Sequence, residues 1–272
     1  MVINQLNQKI RIILLVSAVL LLSGCSTQPE FVNISVNPEN NNSTVTTTSV
    51  ATTTTKQNKT KPTSTPVAPA KQQVQVPRAL TLNVPFTSQA PFANWDALHE
   101  EACEEASMIM VFKYFNHQPL NEQIAEQEIQ KIVSWENDRG YKVDLTADQT
   151  VKILHDFYNL SAQVTRDVSI DRIKYELFKG NLIIVPAAGR ELNNPNFKQP
   201  GPIYHMLVIR GYNDKEFIVN DPGTRHGNGY KYSYQTILNA VHDWNQQLAD
   251  QSGGMSEENM IKTEKIMIIV SK

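Results

Sequence analysis

Residues 205–223 read HMLVIRGYNDKEFIVNDPG. An apolar, β-branched run from His205 to Tyr212 meets a polar turn at Asn213-Asp214. A second run, Glu216 to Val219, follows and ends on Asn220-Asp221-Pro222-Gly223. Two such runs across a short turn predict an antiparallel hairpin. Further strands are expected at 182–185 and 266–270. The chain before the hairpin has a different period. Residues 102–115 are apolar apart from Glu104, Glu105, Ser107 and Lys113, which predicts a helix buried on most sides. A more polar helix is expected around 121–135. Another spans 146–158 behind a Thr cap, with Val151, Leu154 and Tyr158 on one face, and a fourth covers 169–178 and stops at Gly180. A last amphipathic helix is expected over 234–248, with Ile237, Val241 and Trp244 as its stripe. Helices first and an antiparallel sheet second make the fold class α+β.

The residues upstream predict where this domain works. The first 25, MVINQLNQKIRIILLVSAVLLLSGC, have a weakly basic start, an apolar core from Ile12 to Leu22, and the ending Leu22-Ser23-Gly24-Cys25. This is the three-part layout of a secretory signal. Its ending resembles the lipobox of bacterial lipoproteins, which implies lipidation at Cys25. Residues 26–78 are rich in Thr, Asn, Ser, Pro, Gln and Lys, with scattered valines and no Gly. They are expected to be a tether spanning roughly 40 Å as a flexible coil. The domain is expected over 79–272, attached to a membrane through the N-terminal lipid and facing outside the cytoplasm, at the cell surface or in the periplasm. Net charge is −2 and no basic stripe is present, so nucleic acid is excluded as a partner.

The chain holds two cysteines. With Cys25 lipidated, Cys103 has no partner, which excludes a disulfide framework and a multi-cysteine metal site. Cys103 lies in LHEEACEEASMIM (98–110), at the head of the first helix. A helix N-terminus favours a thiolate. The charged neighbours Glu101, Glu104 and Glu105 place the cysteine near the surface; carboxylates in a first helical turn complement the dipole, and if their side chains point to water, screening makes their penalty on a thiolate small. Nucleophilic chemistry also needs a proton partner, an orienting group and oxyanion donors. His205, opening its strand, is the candidate base, because a strand holds an imidazole in register and the Gly-rich loop around His226 does not. The orienting residue depends on the turn. A two-residue turn pairs Tyr212 with Lys215 and puts Asn220 on the face of His205, whereas a three-residue turn brings Asp221 there. Gln89, in VPFTSQAPF (84–92), precedes the helix and carries an amide donor. Trp95-Asp96 and the loop 189–202 are candidate cleft walls.

Together, VPFTSQAPFANWD, EACEEAS, HMLVIRGYND and FIVNDPG resemble the C39-like cysteine peptidases, a branch of the papain-like fold. The resemblance spans roughly 80–230. It implies Cys103 as nucleophile, His205 as base, Asp221 as the orienting acid and Gln89 as the oxyanion residue. The chain departs from the family's commoner pattern after the cysteine, where Glu104-Glu105 replaces Gly-Pro. The implied activity is hydrolysis of a peptide, or of the peptide part of the cell wall, through a thioester with no metal or organic cofactor. A papain-like scaffold retained only as a binding module is the alternative, and acyl transfer is a variant within the enzyme class. Oligomeric state is left open.

Overall fold

The computed structural model describes residues 29–36 and 72–272. The signal segment, Cys25 and most of the tether lie outside the described residues. At the tether's two ends the chain is paired: β1 (Phe31–Val36) runs antiparallel to β2 (Gln72–Pro77), with Phe31 opposite Pro77 and Val36 opposite Gln72. The tether expectation for these ends is corrected by their period-two pattern. Ile34, Val36 and Val76 are buried, with Val32, Val74 and Tyr175 packed against them.

The main body follows. β3 (Leu80–Thr81) precedes α1 (Cys103–Phe115), α2 (Glu122–Asn137), α3 (Ala147–Asp156), β4 (Ser161–Thr165) and α4 (Ile170–Phe178). Then come β5 (Leu182–Ala188), β6 (Tyr204–Tyr212), β7 (Glu216–Asn220), β8 (Asn228–Ser233), α5 (Tyr234–Ala240), α6 (Gln246–Ala249), α7 (Glu257–Met260) and β9 (Met267–Ser271). The sheet order is β4-β9-β5-β6-β7-β8, every pairing is antiparallel, and β3 pairs with β6. This is the α+β fold expected, with helices packed on an antiparallel sheet.

The capping residues explain why the helices start where they do. The Asn121 side chain accepts from the Ile124 N–H, Ser169 accepts from Arg172, and Thr146 forms a reciprocal capping box with Gln149. Gly180, at φ 87, ends the α4 turn. The helix expected over 234–248 is two pieces. After α5 the chain bridges Val241 to Ala187 of β5, and the His242 N–H donates to Pro186 O, so sheet pairing takes the bonds a helix would use. The short strands β4 and β8 were not expected; their alternation is interrupted by polar residues.

The hairpin sets the face of every side chain in β7. Tyr212 pairs with Phe217 and Gly211 with Ile218, but Ile209 pairs with Val219 and Val208 with Asn220. Neither turn considered from the sequence occurs. The turn is Asp214-Lys215, closed by the Asn213 N–H donating to Glu216 O at 3.0 Å, and by itself would turn Asn220 toward His205. A β-bulge at Arg210 shifts the register by one residue and brings Asp221 round instead.

Candidate active site

His205 opens the central strand, opposite Ala187 of β5, and is buried. Its Nε2 lies 2.8 Å from Oδ1 of Asp221, which is also fully buried. Nδ1 is thereby left as the ring nitrogen available to a proton donor or acceptor. The carboxylate of Asp221 is saturated with donors. Oδ1 also accepts from the Gly223 N–H at 3.0 Å, and Oδ2 accepts from the Tyr232 hydroxyl at 2.6 Å and from Asn194 Nδ2 at 3.2 Å. Burial pushes this carboxyl's pKa up, but the charge and hydrogen bond of His205, the Tyr232 hydroxyl and the Gly223 N–H together hold it below the ordinary value. Phe197 packs edge-on against the imidazole at 5.2 Å between centroids. Gly223 is required by approach: a Cβ there would stand 2.8 Å from His205 Cε1 and 2.9 Å from Phe197.

Asn220 has a different task. Its Oδ1 accepts from Arg210 Nε at 2.8 Å, and its Nδ2 donates to Val84 O and Pro85 O at 3.2 and 3.1 Å. The bulged arginine thus fixes Asn220, and Asn220 fixes the segment leading to Gln89.

Cys103 is the first residue of α1, and Ala102 at the N-cap supplies no side-chain hydrogen bond. One turn on, Ser107 Oγ donates to Met206 O at 3.2 Å, which pins the head of α1 beside the start of β6, next to His205. The cysteine's surroundings correct one expectation. It is buried rather than near the surface, and Glu104 and Glu105 are buried with it, so water does not screen them. Glu104 accepts the Leu145 N–H on Oε1 at 3.1 Å and the Cys103 thiol on Oε2 at 2.9 Å. Tyr204 OH in turn donates to Leu145 O at 2.8 Å, so this contact is itself braced from β6. Burial first, then the Glu104, Glu105 and Asp144 carboxyls, push the thiol's pKa well above its ordinary value. In this conformation the sulfur keeps its proton, against the helix dipole.

Gln89 is buried in the loop before α1, and its backbone N–H donates to Pro222 O at 2.9 Å. Both expected site and pre-helix loop are therefore tied together at Gln89. Its Nε2, however, donates to His99 O and Glu100 O, each at 2.9 Å, so both side-chain hydrogens hold the loop. His99 lies in this same loop, four residues before Cys103. It is buried, with Nδ1 2.7 Å from Asp96 Oδ1 and Nε2 2.9 Å from Glu126 Oε2, and it clamps this loop to α2. Trp95 is exposed, and His226 is exposed in its loop. Asn194 and Tyr232 were missed altogether, because nothing local in sequence distinguishes them from solvated loop and strand residues. Among the described residues no group of three His, Cys, Asp or Glu is placed to hold a metal ion, and no helix is long and apolar enough to cross a membrane.

Known structures include two similar ones. A protein described as a C39-like peptidase from Bacillus anthracis superposes with a TM-score of 0.44 at 14% identity, over 71% of this chain and 98% of that one. Xylellain, a cysteine protease from Xylella fastidiosa, gives a TM-score of 0.44 at 12% identity, over 72% and 87%. No curated protein matches. The family model of the Peptidase_C39 like family matches residues 81–251, a stretch holding Gln89, Cys103, His205 and Asp221. The chain belongs to the C39-like peptidase family.

Proposed function

We propose that this protein is a membrane-tethered, extracytoplasmic cysteine peptidase that hydrolyses peptide bonds through a thioester. One observation carries the reading: a buried His205–Asp221 pair stands at the start of β6, against the helix end that bears Cys103. His205 takes the thiol proton on Nδ1 and Cys103 attacks the carbonyl carbon. The oxyanion is held by the Cys103 backbone N–H and by Gln89 Nε2, which gives up one loop carbonyl to do so. The imidazolium, stabilised by Asp221, then protonates the leaving amine, and water hydrolyses the thioester. Glu104 is the ground-state partner of the thiol, and substrate entry transfers that proton from its reach to that of His205. The substrate is a peptide or the peptide part of the cell wall, met within reach of the lipid at Cys25.

A second reading keeps the scaffold as a binding module whose chemistry has lapsed. It is favoured by the thiol donating to Glu104 with its ionisation suppressed. The experiment that separates them follows iodoacetamide alkylation of Cys103 against pH in the full-length chain, read by peptide mass. A peptidase shows a reactive limb well below the free-thiol pKa of about 8.5, lost in His205→Ala. A single rise above that value, identical in both proteins, means the binding module.

A further inference from the structure

Between the head of α1, the end of α2 and the segment 141–144 lies a cavity of about 690 Å³ that the mechanism does not use. Its volume is in the range of small-ligand sites. Ala102 and Glu105, which flank the nucleophile, line it, together with Glu101, Glu136 and Asp144. Tyr141 and Trp244 supply aromatic walls. The one lysine on the rim, Lys142, is already paired with Asp250 at 2.6 Å.

Two of these acids are out of balance with their surroundings. Glu105 and Glu136 are 3% and 6% exposed, and Glu105 Oε2 and Glu136 Oε1 have no donor in the protein. Both carboxyls line the same cavity, and no cation among the described residues faces them there. Buried carboxyls without a cationic partner are costly, and each such group calls for an explanation. Trp244 Nε1 and Gln246 Oε1, also in the cavity wall, are unpartnered as well. An ammonium or guanidinium group satisfies the acceptors of this set, the two glutamate oxygens and Gln246 Oε1, while the Trp244 N–H, itself a donor, is left for a carbonyl of the ligand. Such a cation also stands against aromatic faces that attract it. A bare divalent ion fits poorly, since no three of these ligating groups converge.

We infer that this cavity is the specificity subsite of the enzyme and takes a basic side chain, a lysine, arginine or similar amine-bearing residue of the substrate peptide, seated beside Cys103 on Glu105 and Glu136. The inference rests on the peptidase reading for the word substrate, and on the cavity alone for the cation.

The test uses the full-length protein and acetylated aminoacyl chloromethyl ketones carrying either lysine or its uncharged isostere norleucine. Each forms a thioether with Cys103 and expels chloride, and each rate is divided by the same protein's iodoacetamide rate at Cys103. The expected result is a lysine-over-norleucine preference of about thirtyfold, collapsing toward unity in Glu136→Gln. Asp144→Asn serves as the second variant should Glu136→Gln fail to fold, and it is expected to reduce the preference part of the way. No preference in the wild type, with iodoacetamide labelling still dependent on His205, overturns the subsite and leaves the peptidase standing. If labelling does not depend on His205, the peptidase reading fails and the cavity is judged by direct binding of acetyl-lysine amide, followed by tryptophan fluorescence. Binding lost in Glu136→Gln supports a basic-residue site, and no binding overturns it.

Discussion

At the scale of single residues, Glu104 holds the Cys103 thiol in its protonated form. It is one residue from Cys103, it is 1% exposed, and it accepts the thiol's hydrogen. A hydrogen bond from the protonated form, and a carboxyl beside a developing thiolate, both hold the proton on sulfur. Glu104→Gln keeps an acceptor for the Leu145 N–H and removes the acid. Alkylation of Cys103 at neutral pH is therefore expected to speed up by about tenfold, the effect of one unit of thiol pKa. A slower rate in the variant would mean instead that Glu104 is the group that receives the thiol proton. Cys103 as the cysteine of interest was legible from the sequence, since it is the one left over once Cys25 is assigned to lipid. The orientation of its glutamates was not. Their charge argues for water, and only the packing of α1 against α2 and the Leu145 backbone turns them inward.

Among elements, the β1–β2 ribbon and the β6–β7 hairpin show how differently strands can be encoded. The ribbon buries Ile34, Val36 and Val76 against α4, and the Ser35 N–H donates to Asp171 Oδ2 at 3.2 Å. A two-stranded ribbon is marginal on its own and depends on this apolar face. Ile34→Asp is expected to detach it. Limited proteolysis would then cut between residues 29 and 78 at a faster rate while the iodoacetamide reactivity of Cys103 stays as in the wild type; a loss of that reactivity would show the ribbon to be part of the site's support. The alternating valines were the signal for these strands, obscured by the Thr-rich composition around them. The hairpin, by contrast, was plain in its hydrophobic pattern, yet its register depended on one bulged residue, Arg210. That arginine is held by Asn220, Leu82 O and Asn228, partners 10, 128 and 18 residues away. No local rule specifies such a bulge.

Across the whole molecule, the buried acids dominate the response to pH. Burial raises Glu105 to about 7, Glu136 to about 11 and Asp144 to about 6, with neighbouring carboxyls adding to the effect on Glu136 and Asp144. The ordinary values are 4.5 for Glu and 3.8 for Asp. A carboxyl raised on folding binds its proton more tightly in the native state. Its stabilising contribution is full below the unfolded value and is lost as pH rises through the folded one. Asp221 is the opposite case: its pKa is depressed, so its contribution is present above the unfolded value and disappears in acid. The midpoint of thermal unfolding is therefore expected to peak near pH 5 and to fall by roughly 5–10 °C by pH 8. Glu136→Gln should flatten that fall. A midpoint that rises steadily from pH 5 to pH 8 in a calorimeter would contradict the burial of these acids.

The sequence by itself determined the α+β class and the starts of α3 and α4, and it singled out Cys103 and His205 as candidates. These follow from hydrophobic period, capping residues and cysteine arithmetic, all of which act over a few neighbouring residues. The tertiary structure alone decided which of Asn220 and Asp221 faces His205, because one bulge reverses every side chain beyond it. It also brought in Asn194 and Tyr232 as donors to Asp221, drew both side-chain hydrogens of Gln89 onto the loop, and buried the acids beside Cys103. Each of these depends on groups far apart in the chain meeting where water is excluded, and that meeting is a property of the packed fold rather than of any segment.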